Sequence, residues 1–116
     1  MFEPITLTEQ NFQDEVLHSA TPVLVDYWAS WCGPCRQLAP VIEQIGMERV
    51  GKLKVGKVDV DDQPQLAAQA GVQGIPYMVL YRDGRPVTEA VGAQPKRALE
   101  AALGLEQPAV GGDLAA

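Results

Sequence analysis

Only two cysteines occur in this chain of 116 residues, and they stand three positions apart in Trp31-Cys32-Gly33-Pro34-Cys35. Two thiols at this spacing can do redox chemistry. They permit a disulfide closed by a very short loop, and the reopened dithiol carries two electrons. Structural zinc is a poor alternative, because it takes about four Cys or His ligands and the chain adds only His18, a solvated helix residue by position. A static disulfide or a pair of inert core thiols is the other alternative. Against it stands the context, since a C-x-x-C pair reads as a redox centre when a strand runs into it and a helix runs out of it.

Both conditions are met. Residues 23–29, Val-Leu-Val-Asp-Tyr-Trp-Ala, are apolar and rich in β-branched and aromatic types, which predicts a buried strand. After the motif, Leu38, Ile42 and Ile45 recur at steps of four and three, one face of a helix over residues 34–50. Pro34 suits the first helical turn, where its missing N–H costs nothing; Pro40 falls inside the helix and should kink it. Cys32 then stands at the helix mouth, beside N–H groups without intrahelical acceptors and the positive end of the dipole. That field favours thiolate, the nucleophilic form. Cys35 lies about one turn further in on the same face. Attack on an outside disulfide is therefore assigned to Cys32, and resolution of the mixed disulfide to Cys35.

Asp26 is the second residue with chemical promise. An acid in the middle of an apolar strand is costly to bury without partners. Desolvation should raise its pKa and let it carry a proton near neutral pH. The plainer alternative is a hydrogen-bonded acid at a strand edge.

The remaining chain alternates strands and helices. Residues 4–7 form a short strand, and Thr8 caps a helix with Phe12 and Val16 on one face. Residues 53–60 form a third strand, with Lys52, Lys54 and Lys57 read as a solvated face. Residues 64–70 form a short helix, and residues 78–81 a fourth strand. Asp83-Gly84 is a hairpin turn signal that pairs residues 86–91 antiparallel with the fourth strand. Pro95 opens a last helix with Leu99, Ala102 and Leu103 inward and Gly104 as its stop. The outcome is an α/β domain, a mixed sheet with helices on both faces, over residues 1–104. Residues 105–116 read as a weakly ordered tail.

Composition narrows the partners. Nine basic against 15 acidic residues give a net charge of −6, which argues against nucleic acid or an anionic membrane surface. No apolar run approaches a membrane span, and no export signal is visible at the N-terminus. An oxidisable pair without such a signal points to a reducing, cytoplasmic compartment. Asp59, Asp61 and Asp62 lack the spacing of a calcium loop, so no metal site is expected.

Taken in order, the elements are specific. Trp28-Ala29-Ser30-Trp31-Cys32-Gly33-Pro34-Cys35 is followed by Arg36, with Asp26 upstream. Asp59-Val60-Asp61 ends the third strand, Gly74-Ile75-Pro76 precedes the fourth, and Gly84 and Gly92 lie in the late hairpin. With these the chain resembles the thioredoxin family across residues 3–104. The resemblance implies a five-stranded mixed sheet flanked by four helices, and a monomeric protein-disulfide reductase. It implies a cis bond at Pro76. It also implies a shallow apolar substrate surface made by Trp31, Gly33 and Pro34 with Gly74, Ile75 and Pro76 and with Val91, Gly92 and Ala93, where substrate backbone pairs with Ile75. It sets Asp26 behind Cys35 as proton acceptor, with Lys57 near it. Electrons would come from NADPH through a flavin-containing thioredoxin reductase, so the domain itself would bind no cofactor. Two positions depart from the family pattern: Tyr77 stands where threonine is usual, and Arg36 where lysine is commoner. Competing readings are a disulfide oxidant or isomerase of the same fold, and a binding module whose thiols stay reduced.

Overall fold

A computed structural model describes residues 2–106. Five strands form one sheet in the order β1-β3-β2-β4-β5: β1 (Ile5–Thr6), β2 (Val23–Trp28), β3 (Lys54–Asp59), β4 (Tyr77–Arg82) and β5 (Arg85–Val91). The first three strands run parallel, while β4 is antiparallel to both β2 and β5. Three α-helices, α1 (Gly33–Met47), α2 (Pro64–Gln69) and α3 (Lys96–Leu103), and a π-helical segment Gln13–Leu17 flank it. The expected five strands and four helices are all present.

Alternation along β2 divides the core. Leu24 packs on one face with Leu38, Ile42 and Ile45 of α1 and with Leu99 and Leu103 of α3. Val23, Val25 and Tyr27 pack on the other face with Leu7, Val16 and Leu66. Each aliphatic side chain of that size, once fully buried, contributes about 1.5–3 kcal/mol relative to exposure. A strand covered on both faces is apolar throughout, which is why β2 reads as a continuous run.

Thr8 and Asn11 exchange reciprocal bonds, Asn11 N–H to Thr8 Oγ1 at 3.2 Å and Thr8 N–H to Asn11 Oδ1 at 2.7 Å, which close the turn leading into the first helical segment; the N-cap of that segment is Phe12, not the expected Thr8, and it has no side-chain cap bond. The turn at Asp83-Gly84 has positive φ at both residues, 53° and 77°, the geometry a two-residue hairpin requires. A Cβ at Gly84 would also fall 2.5 Å from the Leu17 carbonyl oxygen.

Four further expectations need correction. α1 ends at Met47, not Val50, because the chain tightens through Arg49 N–H to Gly46 carbonyl and turns at Gly51, φ 86°. The lysines near β3 do not share a solvated face. Lys54 donates to the Glu15 carbonyl at 2.6 Å and its carboxylate at 3.0 Å, whereas Lys57, three residues on, projects from the opposite face beside Trp28. β3 is an interior strand, and its two lysines extend from it in different directions, Lys54 to a polar partner and Lys57 to an aromatic ring. Ala102 is exposed, and the inward stripe of α3 is Leu99, Glu100 and Leu103.

Glu100 is wholly buried because Arg49 meets it. Arg49 Nη2 lies 2.7 Å from its carboxylate and 2.6 Å from the Glu106 carbonyl, and Lys96 adds a contact at 3.3 Å. Burial pushes the Glu100 carboxyl up, but Arg49 and Lys96 outweigh it and hold it below its usual value. The fourth correction follows from the same contacts. Leu105, expected to begin the tail, is buried against α1 and α3. The tail reading for residues 107–116 lies outside the described residues.

Candidate active site

Cys32 and Cys35 are joined as a disulfide with Cα atoms 5.3 Å apart. Cys32 is the N-cap of α1, in extended conformation, with Gly33 and Pro34 next in the helix. Its sulfur accepts the Cys35 N–H at 3.2 Å, so one of the helix's free donors points at the atom that would carry thiolate charge. Cys32 is 5% exposed and Cys35 2%. Exposure therefore does not separate them; their places at the helix mouth and inside its first turn do.

Around the sulfurs, Ala29, Trp28, Val60 and Ile75 form a small apolar cluster. The Cys32 sulfur lies 4.0 Å from the Ile75 carbonyl oxygen. The Ile75–Pro76 bond is cis, as the resemblance implied, and Pro76 is buried. Gly92, at φ 92°, donates its N–H to the Pro76 carbonyl at 2.8 Å. A side chain rarely adopts that φ, so glycine here lets the chain after β5 close on the proline loop. The three segments are thus tied together: the helix mouth, residues 74–76 and residues 91–93. Trp31 is 67% and Val91 58% exposed on their rim, and Pro34, Gly74 and Ala93 are exposed beside them.

Asp26 is 1% exposed, and its Oδ1 has no hydrogen-bond partner among the described residues. Alternation sets it on the α1 face of β2, between Leu24 and Trp28. Burial raises its pKa to about 6, with Lys57 pulling the other way. Asp26 and Lys57 are partners in the β2–β3 register. The Lys57 ammonium does not close on the carboxylate; it lies over the Trp28 ring, 4.2 Å from the centroid. Lys57 also lines a small surface cleft with Trp28 and Asp59.

Three supports were not legible in the sequence. Asp61 accepts the Trp31 indole N–H at 2.8 Å, and Arg36 donates to the Ser30 carbonyl at 2.8 Å. Both brace the exposed loop before Cys32. The Tyr77 hydroxyl donates to Glu89 of β5. Asp61 belongs to the acidic trio, but nothing in local spacing links it to Trp31, thirty residues away. Among the described residues no group of three or more His, Cys, Asp or Glu side chains could hold a metal ion. No described helix is long and apolar enough to cross a membrane.

The comparisons with known proteins agree with this geometry. The family model named Thioredoxin matches residues 3–104. A thioredoxin of Alicyclobacillus acidocaldarius subsp. acidocaldarius is 46% identical over 99 residues, covering 85% of this chain and 93% of the relative. Thioredoxin 1 of a Nostoc species is 47% identical over 97 residues, 84% of this chain and 91% of the relative. A Mycobacterium bovis thioredoxin is 50% identical over 95 residues, 82% of each chain. A strand-to-helix dithiol on this five-stranded sheet, with that likeness over most of its length, makes the chain a member of the thioredoxin family, a thiol-disulfide oxidoreductase working through Cys32 and Cys35.

Proposed function

We propose that the protein is a general cytoplasmic reductant of protein disulfides, reloaded with electrons from NADPH by a thioredoxin reductase, and that it works as a monomer without a bound cofactor. The observation that carries the division of labour is the Cys35 N–H donated to the Cys32 sulfur, which favours charge on Cys32. The Cys32 thiolate attacks one sulfur of a substrate disulfide. A mixed disulfide forms, and the first substrate thiolate leaves. Cys35 then gives up its proton and attacks the Cys32 sulfur. The Cys32–Cys35 disulfide forms, and the second substrate thiolate leaves with the remaining electron pair.

Asp26 is the proton acceptor for Cys35 in this reading. Its support is a buried carboxyl on the α1 side of β2 whose pKa, at about 6, lies near the working range. Lys57 tempers that pKa and lines the surface cleft beside Trp28. Trp31, Gly33, Pro34, Gly74, Ile75, Pro76, Val91, Gly92 and Ala93 form the docking surface. Its apolar character, with no charged side chain among these nine residues, suits strand-like pairing to many partners.

The test is multiple-turnover reduction of insulin with NADPH and a bacterial thioredoxin reductase, followed as NADPH loss at 340 nm. Steady turnover that disappears in Cys32→Ser is the expected result. Absence of turnover by wild-type protein, with the reductase shown active on another thioredoxin, would refute the proposal.

A further inference from the structure

Beyond the disulfide, the edge strand β5 has an uncovered face, with Val87, Glu89 and Val91 exposed while Val79 and Tyr81 of β4 beside them are buried. α2 is only six residues long, and it leaves open a cleft of about 360 Å³ lined by Gln69, Tyr77, Tyr81, Val87 and Glu89, among others. Val87 is 49% exposed. The cleft is continuous with the docking surface. Val91, on that surface, faces Tyr77 across the β4–β5 ladder, and Glu89 is the next residue on the same side of β5. Glu89 pairs with Val79, four residues beyond Ile75, so the two stand at most about 14 Å apart along the strand.

The chemistry of this cleft is one-sided. Among the described residues Glu89 is its one charged lining residue, and no lysine or arginine among them lines it. The Tyr77 hydroxyl donates to one oxygen of Glu89, which orients the carboxylate and leaves the other oxygen free. Tyr77 keeps its proton, its pKa pushed up to about 12 by that bond first and by burial second. Tyr27 and Tyr77 meet with ring centroids 5.8 Å apart, which fixes the Tyr77 ring from behind. An oriented carboxylate beside the half-buried Tyr77 ring suits a guanidinium, which pairs with the acid and stacks on an aromatic face.

We propose that this cleft is an accessory subsite of the disulfide substrate, taking an arginine side chain carried three or four residues from the substrate cysteine. The inference rests on the docking surface proposed above. An extended chain covers about 3.3–3.6 Å per residue, so a segment pairing near Ile75 reaches Glu89 at that separation. Tyr77 and Glu89 are then specificity residues that touch substrate without joining in the sulfur chemistry.

The experiment uses prereduced full-length protein and symmetrical disulfide-linked peptide dimers. Each peptide carries arginine, or its neutral isostere citrulline, three or four residues from the cysteine on one side or the other. Thiol peptide release is followed in single turnover. At one of the positions the arginine peptide should react about 3- to 10-fold faster than its citrulline twin. That ratio should fall to about one in Glu89→Gln and decline with added salt in the wild type. A ratio of about one at every position, with citrulline peptides still reduced, overturns the subsite and leaves the docking surface standing. Citrulline peptides that are not reduced at all overturn both. If the ratios are flat and the protein sediments as a dimer that Val87→Asp dissociates, the occupant is a second copy of this chain and the proposal is wrong.

Discussion

Asp26→Asn should stabilise the oxidised protein in a way that depends on pH, because among the described residues Asp26 is the one acid buried without a close cation. Its carboxyl rises from an ordinary 3.8 to about 6 on folding, chiefly through burial. The folded state therefore holds its proton more tightly than the unfolded state. As pH climbs past the unfolded value, the unfolded chain ionises first and folding is penalised. The penalty grows until the folded pKa is passed and then levels off. At about 1.36 kcal/mol per unit, a shift of this size amounts to roughly 3 kcal/mol at pH 8. With Asp26 only 1% exposed, solvent screening takes little of it. The asparagine amide adds a cost or gain of its own, but one that does not change with pH. The test is therefore a difference: the mutant's gain at pH 8 minus its gain at pH 4, from urea unfolding of both oxidised proteins. About 0.6 kcal/mol of the penalty is already present at pH 4, so for an m-value of about 1–3 kcal/mol/M the urea midpoint should move by about 0.8–2.4 M more at pH 8 than at pH 4. Equal effects at the two pH values would show that the carboxyl is not desolvated, and Asp26 would lose its place as proton acceptor.

Other perturbations follow from the same geometry. Cys35→Ser should accumulate mixed disulfides with proteins of a cell extract that dissolve in dithiothreitol, while Cys32→Ser should not; the reverse pattern on non-reducing gels would exchange the two roles. Arg49→Ala leaves the Glu100 carboxylate buried without its main cation and should cost about 3–5 kcal/mol in chemical denaturation, whereas a change below about 1 kcal/mol would mean that Lys96 alone suffices. Because Glu100 is held below its usual pKa in the folded state, its contribution is present above the unfolded value and should fade as pH drops through the folded one. Truncation after Gly104 removes the buried Leu105 and the Glu106 carbonyl that Arg49 binds; calorimetry should register a loss of about 2–4 kcal/mol. Truncation after Glu106 keeps both contacts and should leave stability and reductase activity unchanged.

Much of this architecture was legible because its signals are local. The apolar run of β2, the helical period of Leu38, Ile42 and Ile45, the Asp83-Gly84 turn and the Gly104 stop each lie within a few residues of the feature they specify. The dithiol was legible for the same reason, as was the oddity of Asp26 in an apolar strand. What escaped notice joins distant positions. Arg49 and Glu100 lie 51 residues apart and Trp31 and Asp61 30 apart, and neither pair leaves a periodic trace. Glu100 carries no inward signal until Arg49 is brought beside it, whereas Ala102, being apolar, reads as inward. β3 misled for a different reason. Its lysines interleave with valines, as on a half-exposed strand, but the sheet order makes it interior, and order is not written in the alternation.

The reduction potential of the Cys32–Cys35 pair tests the central claim most directly. The reductant reading predicts a value near about −270 mV, a figure that belongs to thioredoxin itself and is taken over by family membership rather than obtained from this geometry. Equilibration of the protein with a defined dithiothreitol buffer, with the thiols counted by alkylation and mass spectrometry, gives the value. A potential near that figure lets the dithiol drive electrons into ordinary protein disulfides. A potential between about −180 and −120 mV, the range of isomerases and oxidants of disulfides, would contradict the account, because the pair would then accept electrons from the substrates it is proposed to reduce.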